Sequence, residues 1–237
     1  MKRAWNVFKY QIRDSLTAVA VYYIIIALLL ILGFSLKIAY NGTRVSFNGF
    51  KLASAIFLFV VGINSFKAPY LFMQANGVTR RSYFRGGAMA LAILAVGMTL
   101  IDEALYGILT VISPPEGSMV EMLYPRAGFF GTLLWTTAGN LFAVFGGWCV
   151  TMLYYRANKA QKLAISLSPA VLFIALMFLD PVTGCWKAID SAFMYLMGLS
   201  GTRNIYIGVL FMFAASALMA AFSFLLARRA QVKEQDR

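Results

Sequence analysis

Residues 74–87 read Gln74-Ala75-Asn76-Gly77-Val78-Thr79-Arg80-Arg81-Ser82-Tyr83-Phe84-Arg85-Gly86-Gly87, the densest polar and basic stretch of an otherwise apolar chain. Long apolar runs precede and follow this stretch, so it must form a short loop at a membrane surface. Asn76-Gly77 predicts a turn that ends one helix, because both residues tolerate a positive φ. Thr79 can cap the next helix by accepting a hydrogen bond from an amide two or three residues on.

Three arginines, Arg80, Arg81 and Arg85, crowd the first turns of that next helix. The N-terminus of a helix is unfavourable for cations, so helix stability does not explain their position. One interpretation is membrane orientation, because basic residues beside a span hold that end in the cytoplasm. The other interpretation is a docking surface for a cytoplasmic partner.

The composition predicts an integral membrane protein. The chain has 237 residues, of which 61% are hydrophobic and only 13% are charged. A soluble domain usually has about a quarter of its residues charged. Several apolar runs reach the roughly 20 residues that cross a bilayer as a helix. The runs are continuous rather than alternating, which favours an all-α fold over a β-barrel.

The predicted fold is one membrane domain of six transmembrane helices. Residues 1–15 form an interfacial helix, residues 16–227 the six-span bundle, and residues 228–237 a polar tail. The predicted spans are residues 16–36, 50–73, 86–112, 128–155, 163–179 and 205–227. Pro69 predicts a kink in the second span, and Asp180-Pro181 predicts the end of the fifth.

Two segments outside the spans are apolar as well. In residues 1–15, Trp5, Phe8 and Ile12 share one helical face, while Lys9 and Arg13 share another. That pattern is typical of a helix in the membrane interface, and a simple basic leader is the alternative. Residues 182–204 are apolar but broken by glycines and charges. They predict an outer re-entrant or interfacial helix, with a plain amphipathic loop as the alternative.

Four polar residues within the spans are candidates for a transport pathway or a polar interior: Asn64, Asp102, Glu103 and Asn140. Carboxylates inside a span are costly and usually mark function. The favoured alternative for Asp102-Glu103 is that the third span ends near Leu100, which leaves the pair at the headgroup level. For Asn140, hydrogen bonding to a neighbouring helix is the favoured alternative.

The basic residues also predict the topology. With six spans both termini lie on one side, and 15 of the 21 lysines and arginines fall there. The positive-inside rule then places both termini in the cytoplasm. The same asymmetry accounts for the net charge of +12 without any nucleic-acid partner.

The residue inventory argues against several enzyme classes. The chain contains no histidine, which removes the commonest general base and metal ligand. It also has no Gly-x-Ser-x-Gly elbow and no glycine-rich nucleotide loop. Asp102 and Glu103 are adjacent and point about 100° apart on a helix, which makes an intramembrane hydrolase a weak alternative.

The order of these features resembles the permease subunits of ABC transporters of the type-2 exporter class. The shared features are a basic amphipathic helix, six spans with both ends inside, a basic turn between the second and third spans, and a broken apolar segment before the sixth. The run Asn76-Gly77-Val78-Thr79-Arg80-Arg81 also resembles a turn in small bacterial permeases, which often export peptides or give immunity to them.

The resemblance implies a permease without catalytic residues, cofactor or metal of its own, in a bacterial plasma membrane. Two cytoplasmic ATPase subunits would bind ATP and Mg²⁺, and a second permease chain, identical or homologous, would complete the pathway. The turn between the second and third spans would couple the ATPase to the spans. That role would cover Gln74, Asn76, Gly77, Val78, Thr79, Arg80, Arg81, Tyr83, Phe84 and Arg85.

A second function class is the substrate-capturing membrane subunit of a vitamin-type uptake system, which is also basic and six-spanned. Such a subunit is expected to have a compact ligand cavity near its outer face. Asp102, Glu103 and Trp186 are the residues that could line that cavity. The predicted interfacial helix and re-entrant segment favour the exporter.

Overall fold

A computed structural model describes residues 2–39, 49–112, 119–201 and 203–228, and all regular structure in these ranges is helical. Three sequence features lie outside the described residues: Asn41-Gly42-Thr43, which predicts a turn, Pro114-Pro115, which predicts a chain break, and the polar tail after Arg228. The helices are α1 (Lys2–Ala39), α2 (Phe50–Asn64), α3 (Lys67–Ala75), α4 (Arg80–Ile112), α5 (Met119–Leu123), α6 (Phe129–Arg156), α7 (Lys159–Thr183), α8 (Cys185–Leu196) and α9 (Ile205–Arg228).

Within the described ranges, six helical segments are long and apolar enough to cross a membrane: α1, α2 together with α3, α4, α6, α7 and α9. The chain is therefore a multi-pass, all-α membrane protein, as the sequence predicts. Helix α6 lies at the centre and packs against α2, α4 and α9, while α1 packs against α4.

Glycines allow α2 and α6 to cross at backbone contact. A Cβ added to Gly62 would collide with the carbonyl oxygen of Val144, and one added to Gly147 would collide with that of Phe59. Small residues at such crossings permit the close van der Waals packing that holds membrane helices together. The two helices therefore form one tightly packed pair.

Both ends of the described chain meet the turn between α3 and α4. The Arg3 guanidinium donates to the Gly77 carbonyl oxygen at 3.2 Å, and that of Arg80 donates to the Arg228 carbonyl oxygen at 3.4 Å. We call this the terminal end of the bundle, and the other end, where α2 and α9 begin, the opposite end.

Helix α1 is one continuous helix through the boundary predicted between residues 15 and 16. Its first turns pack against α4, where a Cβ on Gly86 would collide with the Ala4 carbonyl oxygen and lie 2.8 Å from the Val7 Cβ. The separate interfacial helix therefore stays a prediction, since no helix end marks its boundary.

The second span breaks at Ser65-Phe66, in agreement with the kink predicted from Pro69, because this proline lacks the N–H that would reach the Ser65 carbonyl oxygen four residues earlier. Pro69 is the third residue of α3, where a backbone N–H has no partner within the helix in any case. The proline therefore costs the helix no hydrogen bond. Its effect falls on the preceding turn, where the second span is interrupted.

The fifth span also ends later than predicted, because α7 continues through Asp180-Pro181 to Thr183. Gly184, with φ +60°, ends it in the left-handed conformation that suits glycine. The Asp180 carboxylate accepts the Trp186 backbone N–H at 2.8 Å and so caps the start of α8. None of the spanning part of α7 is buried within the chain.

Helix α8 lies within the segment predicted to be re-entrant, and most of its residues are exposed. Its end is fixed to the bundle, because the buried Tyr124 hydroxyl donates to the Met197 carbonyl oxygen. Burial raises the pKa of Tyr124 above its usual value, so this hydroxyl keeps its proton. A re-entrant path for this segment remains a prediction.

Candidate functional site

The turn at the terminal end is built as its sequence predicts. Gly77 has φ +70°, and the Val78 N–H donates to the Met73 carbonyl oxygen at 3.0 Å. The Ser82 N–H donates to the Thr79 hydroxyl oxygen at 3.3 Å, which caps α4. We call residues 74–85 the basic turn.

The residues predicted to couple the turn to an ATPase differ widely in exposure. Asn76, Gly77, Thr79, Arg81 and Arg85 are exposed, whereas Gln74, Val78, Arg80 and Phe84 are partly covered and Tyr83 is fully buried. Phe84 stacks on Trp148 with ring centroids 4.9 Å apart. The buried Tyr83 therefore cannot meet a partner directly, and Tyr83 and Phe84 hold the turn to the bundle.

A break in the second span lies directly beneath the basic turn. The carbonyl oxygen of Ser65 accepts the Tyr83 hydroxyl at 2.8 Å and the Gln11 amide at 2.9 Å. The Thr151 hydroxyl donates to the Ile63 carbonyl oxygen at 2.7 Å. Side chains from α1, α4 and α6 thus satisfy the carbonyls that the break removes from the helical ladder.

The residues of the predicted interfacial helix point largely away from the bundle. Trp5 is 49% exposed, Lys9 and Arg13 are exposed, and Phe8 and Ile12 are partly covered. Trp5 stacks on Phe8 with centroids 4.8 Å apart. The predicted apolar face is thus divided: Ile12 packs against the core of the bundle, while Trp5 is directed outward.

Charged residues come together in the half of the bundle nearer the opposite end. The Lys51 ammonium lies 2.8 Å from the Glu103 carboxylate, and their side chains are 12% and 7% exposed. The Thr136 hydroxyl donates to the same oxygen of Glu103 at 3.1 Å. Lys51 also lies 4.3 Å from the centroid of the Tyr106 ring, a cation–π distance. This arrangement connects α2, α4 and α6.

Asp102 is fully buried beside this pair. The Tyr23 hydroxyl donates to one carboxylate oxygen at 3.0 Å and to the Met98 carbonyl oxygen at 3.1 Å. The hydroxyl groups of Tyr22 and Ser54 form a further hydrogen bond, with their oxygens 2.8 Å apart. Helix α4 continues through Asp102-Glu103 to Ile112, and the position of the bilayer boundary on this helix stays a prediction.

Asn140 belongs to the same region, whereas Asn64 does not. The Asn140 amide donates to the Thr99 hydroxyl oxygen at 3.0 Å, which joins α6 to α4. Asn64 is exposed and donates back to the Val60 carbonyl oxygen of its own helix at 3.0 Å. We call the following residues the polar cluster: Tyr22, Tyr23, Lys51, Ser54, Thr99, Asp102, Glu103, Thr136 and Asn140.

A cavity of about 190 Å³ adjoins the polar cluster between α2, α4, α5 and α6. Its walls are mostly apolar and include Phe50, Tyr106 and Trp135, and its polar groups come from Lys51, Thr136 and Asn140. Pockets of this composition, apolar with a few placed polar groups, are the usual form of small-molecule sites.

Sequence reasoning did not name six members of this site as candidates: Tyr22, Tyr23, Lys51, Ser54, Thr99 and Thr136. Lys51 stands just inside the apolar run that begins at Phe50, and Asp102-Glu103 stands inside another. Charges within spans almost always pair with one another, so a lysine and two carboxylates in separate spans could have been matched. Trp186, expected to line an outer cavity, packs against Phe173 instead, with ring centroids 5.7 Å apart.

Across the described ranges no group of three histidine, cysteine or carboxylate side chains is placed to hold a metal ion. Comparison with protein-family models, curated proteins and solved structures finds no match for the chain. A function must therefore be argued from the basic turn, the polar cluster and the cavity.

Proposed function

We propose that the chain is the permease subunit of an ATP-driven exporter that moves a peptide or another amphipathic compound out of the cell or its membrane. The observation that supports this most is the build of the basic turn. It exposes Arg81 and Arg85 in the first turns of α4, and the short helix α3 connects it to the break at Ser65-Phe66. Neither arginine forms a salt bridge with any part of the chain that the structure describes.

The proposed location is a bacterial plasma membrane with both termini in the cytoplasm. The terminal end carries most of the basic residues, including those of the basic turn, the start of α1 and the start of α7. Cytoplasmic loops carry such an excess of lysine and arginine. This orientation presents the basic turn to cytoplasmic proteins and turns the opposite end to the outside.

The energy would come from partner proteins. Two ATPase subunits would bind ATP and Mg²⁺ on the cytoplasmic side, and a second permease chain, identical or homologous, would complete a pathway between the two permeases. Acidic residues on the ATPase would pair with the arginines and fix its register, because charge complementarity governs orientation at interfaces.

A push on the basic turn would act on α3 first. The break at Ser65-Phe66 lets α3 change its angle to α2 without stretching a regular hydrogen-bond ladder. Because α2 is packed on α6 through Gly62 and Gly147, motion that passes the break would move α2 and α6 as one body. The pathway would then open or close along the surface of that pair.

The cavity favours one competing function, a membrane subunit that captures a small molecule for uptake. It lies near the opposite end, where such a subunit would meet its ligand from outside. That function requires tight binding by the purified chain alone and does not require the arginines of the basic turn. The exporter requires those arginines.

The test is the double charge reversal Arg81→Glu with Arg85→Glu, which leaves the partly buried Arg80 in place. The matched control is Lys159→Glu with Lys162→Glu, which makes the same charge change at exposed positions of the terminal end. We expect the first variant to lose a copurifying ATPase while both variants insert into the membrane. Gentle detergent purification from the native membrane, followed by protein identification, measures this.

Equal recovery of an ATPase with both variants would refute docking at the basic turn. Recovery of the unaltered chain alone, with a tightly bound small molecule, would favour the capture subunit. The basic turn would then serve membrane orientation only.

A further inference from the structure

The size of the cavity limits what it can hold. A cavity of roughly 150 Å³ lined by aliphatic and aromatic side chains holds one benzene molecule. The cavity here measures about 190 Å³, which leaves room for one ring with a short substituent. An extended peptide is too large for this space.

The walls favour an aromatic ring and entry from the bilayer. Phe50, Tyr106 and Trp135 each present an aromatic face or edge to the cavity. Aromatic pairs gain about 0.5–1.5 kcal/mol beyond the burial of their area. Leu52 and Met119 also line it and are 54% and 48% exposed, so they form a rim at the surface of the bundle.

The polar groups of the cavity determine whether a charged or an uncharged ligand can bind. Lys51 is already neutralised by Glu103 at 2.8 Å, so an anionic ligand would have to displace a buried carboxylate. A cationic ligand would meet the ammonium group. Burying a charge without a free partner is costly, so the cavity selects against charged molecules.

The same groups select a hydroxyl. The Thr136 hydroxyl hydrogen is used toward Glu103 or the Thr132 carbonyl oxygen, which leaves its oxygen able to accept. The Asn140 amide nitrogen donates to Thr99, which leaves the amide oxygen able to accept. Lys51 has N–H groups beyond the one directed at Glu103. A hydroxyl can donate its single hydrogen to either of the first two and accept from the third.

We infer that this cavity is a binding site for a small uncharged phenol-like molecule, with its hydroxyl toward Asn140 and Thr136 and its ring between Phe50, Tyr106 and Trp135. Asn140 and Thr136 are 1% and 5% exposed, so the hydroxyl enters first and the ring follows toward the rim. A lipid acyl chain would enter with its apolar end first and leave these acceptors unpaired. This site does not depend on ATP-driven transport.

The experiment uses 4-bromophenol and the full purified chain in detergent, at a pH where the probe is uncharged. Bromine quenches nearby tryptophan fluorescence, and Trp135 lines the cavity. We expect a saturable quench that unlabelled 4-methylphenol reverses. We also expect 4-bromoanisole, which lacks the donor, to bind about fivefold more weakly, as one lost hydrogen bond implies.

Two variants locate the probe. Ala55→Phe fills the cavity from α2 and is expected to weaken binding at least about tenfold, whereas Ala164→Phe on the exposed surface of α7 leaves it unchanged. Trp135→Phe keeps a ring in the wall and is expected to remove most of the quenching.

Three results would overturn the inference. The first is quenching in the unaltered chain that neither saturates nor is reversed by 4-methylphenol. This measurement does not depend on the folding of any variant. The second is full quenching in Trp135→Phe. The third is quenching by a phospholipid brominated on its acyl chains, abolished by Ala55→Phe, which would assign the cavity to lipid.

Discussion

The two ends of the bundle differ in the exposure and the pairing of their charged residues. At the terminal end Arg81 and Arg85 are exposed and make no salt bridge with the described residues. Toward the opposite end Lys51 and Glu103 are nearly excluded from solvent and lie 2.8 Å apart. Exposed charges contribute little to the free energy of unfolding. Removing one member of a buried ion pair, in contrast, strongly destabilises the folded protein. Removing charge should therefore cost stability at one end and affect only interactions at the other.

The largest effect is expected from Lys51→Met. This change leaves the Glu103 carboxylate buried, with the Thr136 hydroxyl as its remaining hydrogen-bond partner among the described residues. We expect a loss of about 3–5 kcal/mol in the free energy of unfolding. Unfolding by SDS in mixed micelles measures it.

Two controls accompany that variant. Lys159→Met removes an exposed lysine and should leave the unfolding free energy nearly unchanged. The double variant Lys51→Met with Glu103→Gln removes both charges and should recover much of the loss. A loss in the double variant as large as in Lys51→Met would show that packing, and not the unpaired charge, is responsible.

An intermediate effect is expected from Tyr83→Phe. This variant separates burial from position in the comparison, because the Tyr83 hydroxyl lies at the terminal end and is nevertheless buried. Its bond to the Ser65 carbonyl oxygen is 2.8 Å long, and Gln11 still donates to that oxygen after the change. We expect a loss of about 1 kcal/mol in the same unfolding measurement. Tyr195→Phe, at a side chain 72% exposed, is the control. No difference between the two variants would contradict a structural role for this hydroxyl.

The smallest effect is expected from Arg81→Glu with Arg85→Glu. Since both side chains are exposed, the unfolding free energy should change by less than about 1 kcal/mol. The same SDS titration tests this in the purified chain without any partner. A loss comparable to that of Lys51→Met would remove the contrast between the two ends.

The six spans, the turn at Asn76-Gly77 and the cap at Thr79 were predictable because each depends on local sequence. The length of an apolar run predicts a membrane span, and the backbone torsion preferences of a few residues predict a turn. The break in the second span was predictable for the same local reason, because Pro69 cannot pair with the Ser65 carbonyl oxygen. Asp180-Pro181 misled, because α7 continues through it to Thr183.

The polar cluster could not be located from local sequence. Lys51 and Glu103 are 52 residues apart, and Tyr23 and Asp102 are 79 residues apart. Whether these residues meet depends on which helices pack side by side. The glycines at the α2–α6 crossing identify this pair as neighbours only after both helices have been placed. The requirement for buried charges to pair predicts that Lys51 needs a partner, without saying which carboxylate lies nearer.

The polar residues of α6 have a consequence for how the protein is made. Helix α6 is the least hydropathic of the six spans, and its Thr132, Thr136 and Asn140 are buried among neighbouring helices. Alone in lipid, these groups would have no partners outside their own helix. Because α2 and α4 come earlier in the chain, they can already be in the bilayer when α6 leaves the ribosome. We expect α6 to insert only with their help, whereas α7, which buries nothing of its spanning part within the chain, can insert alone.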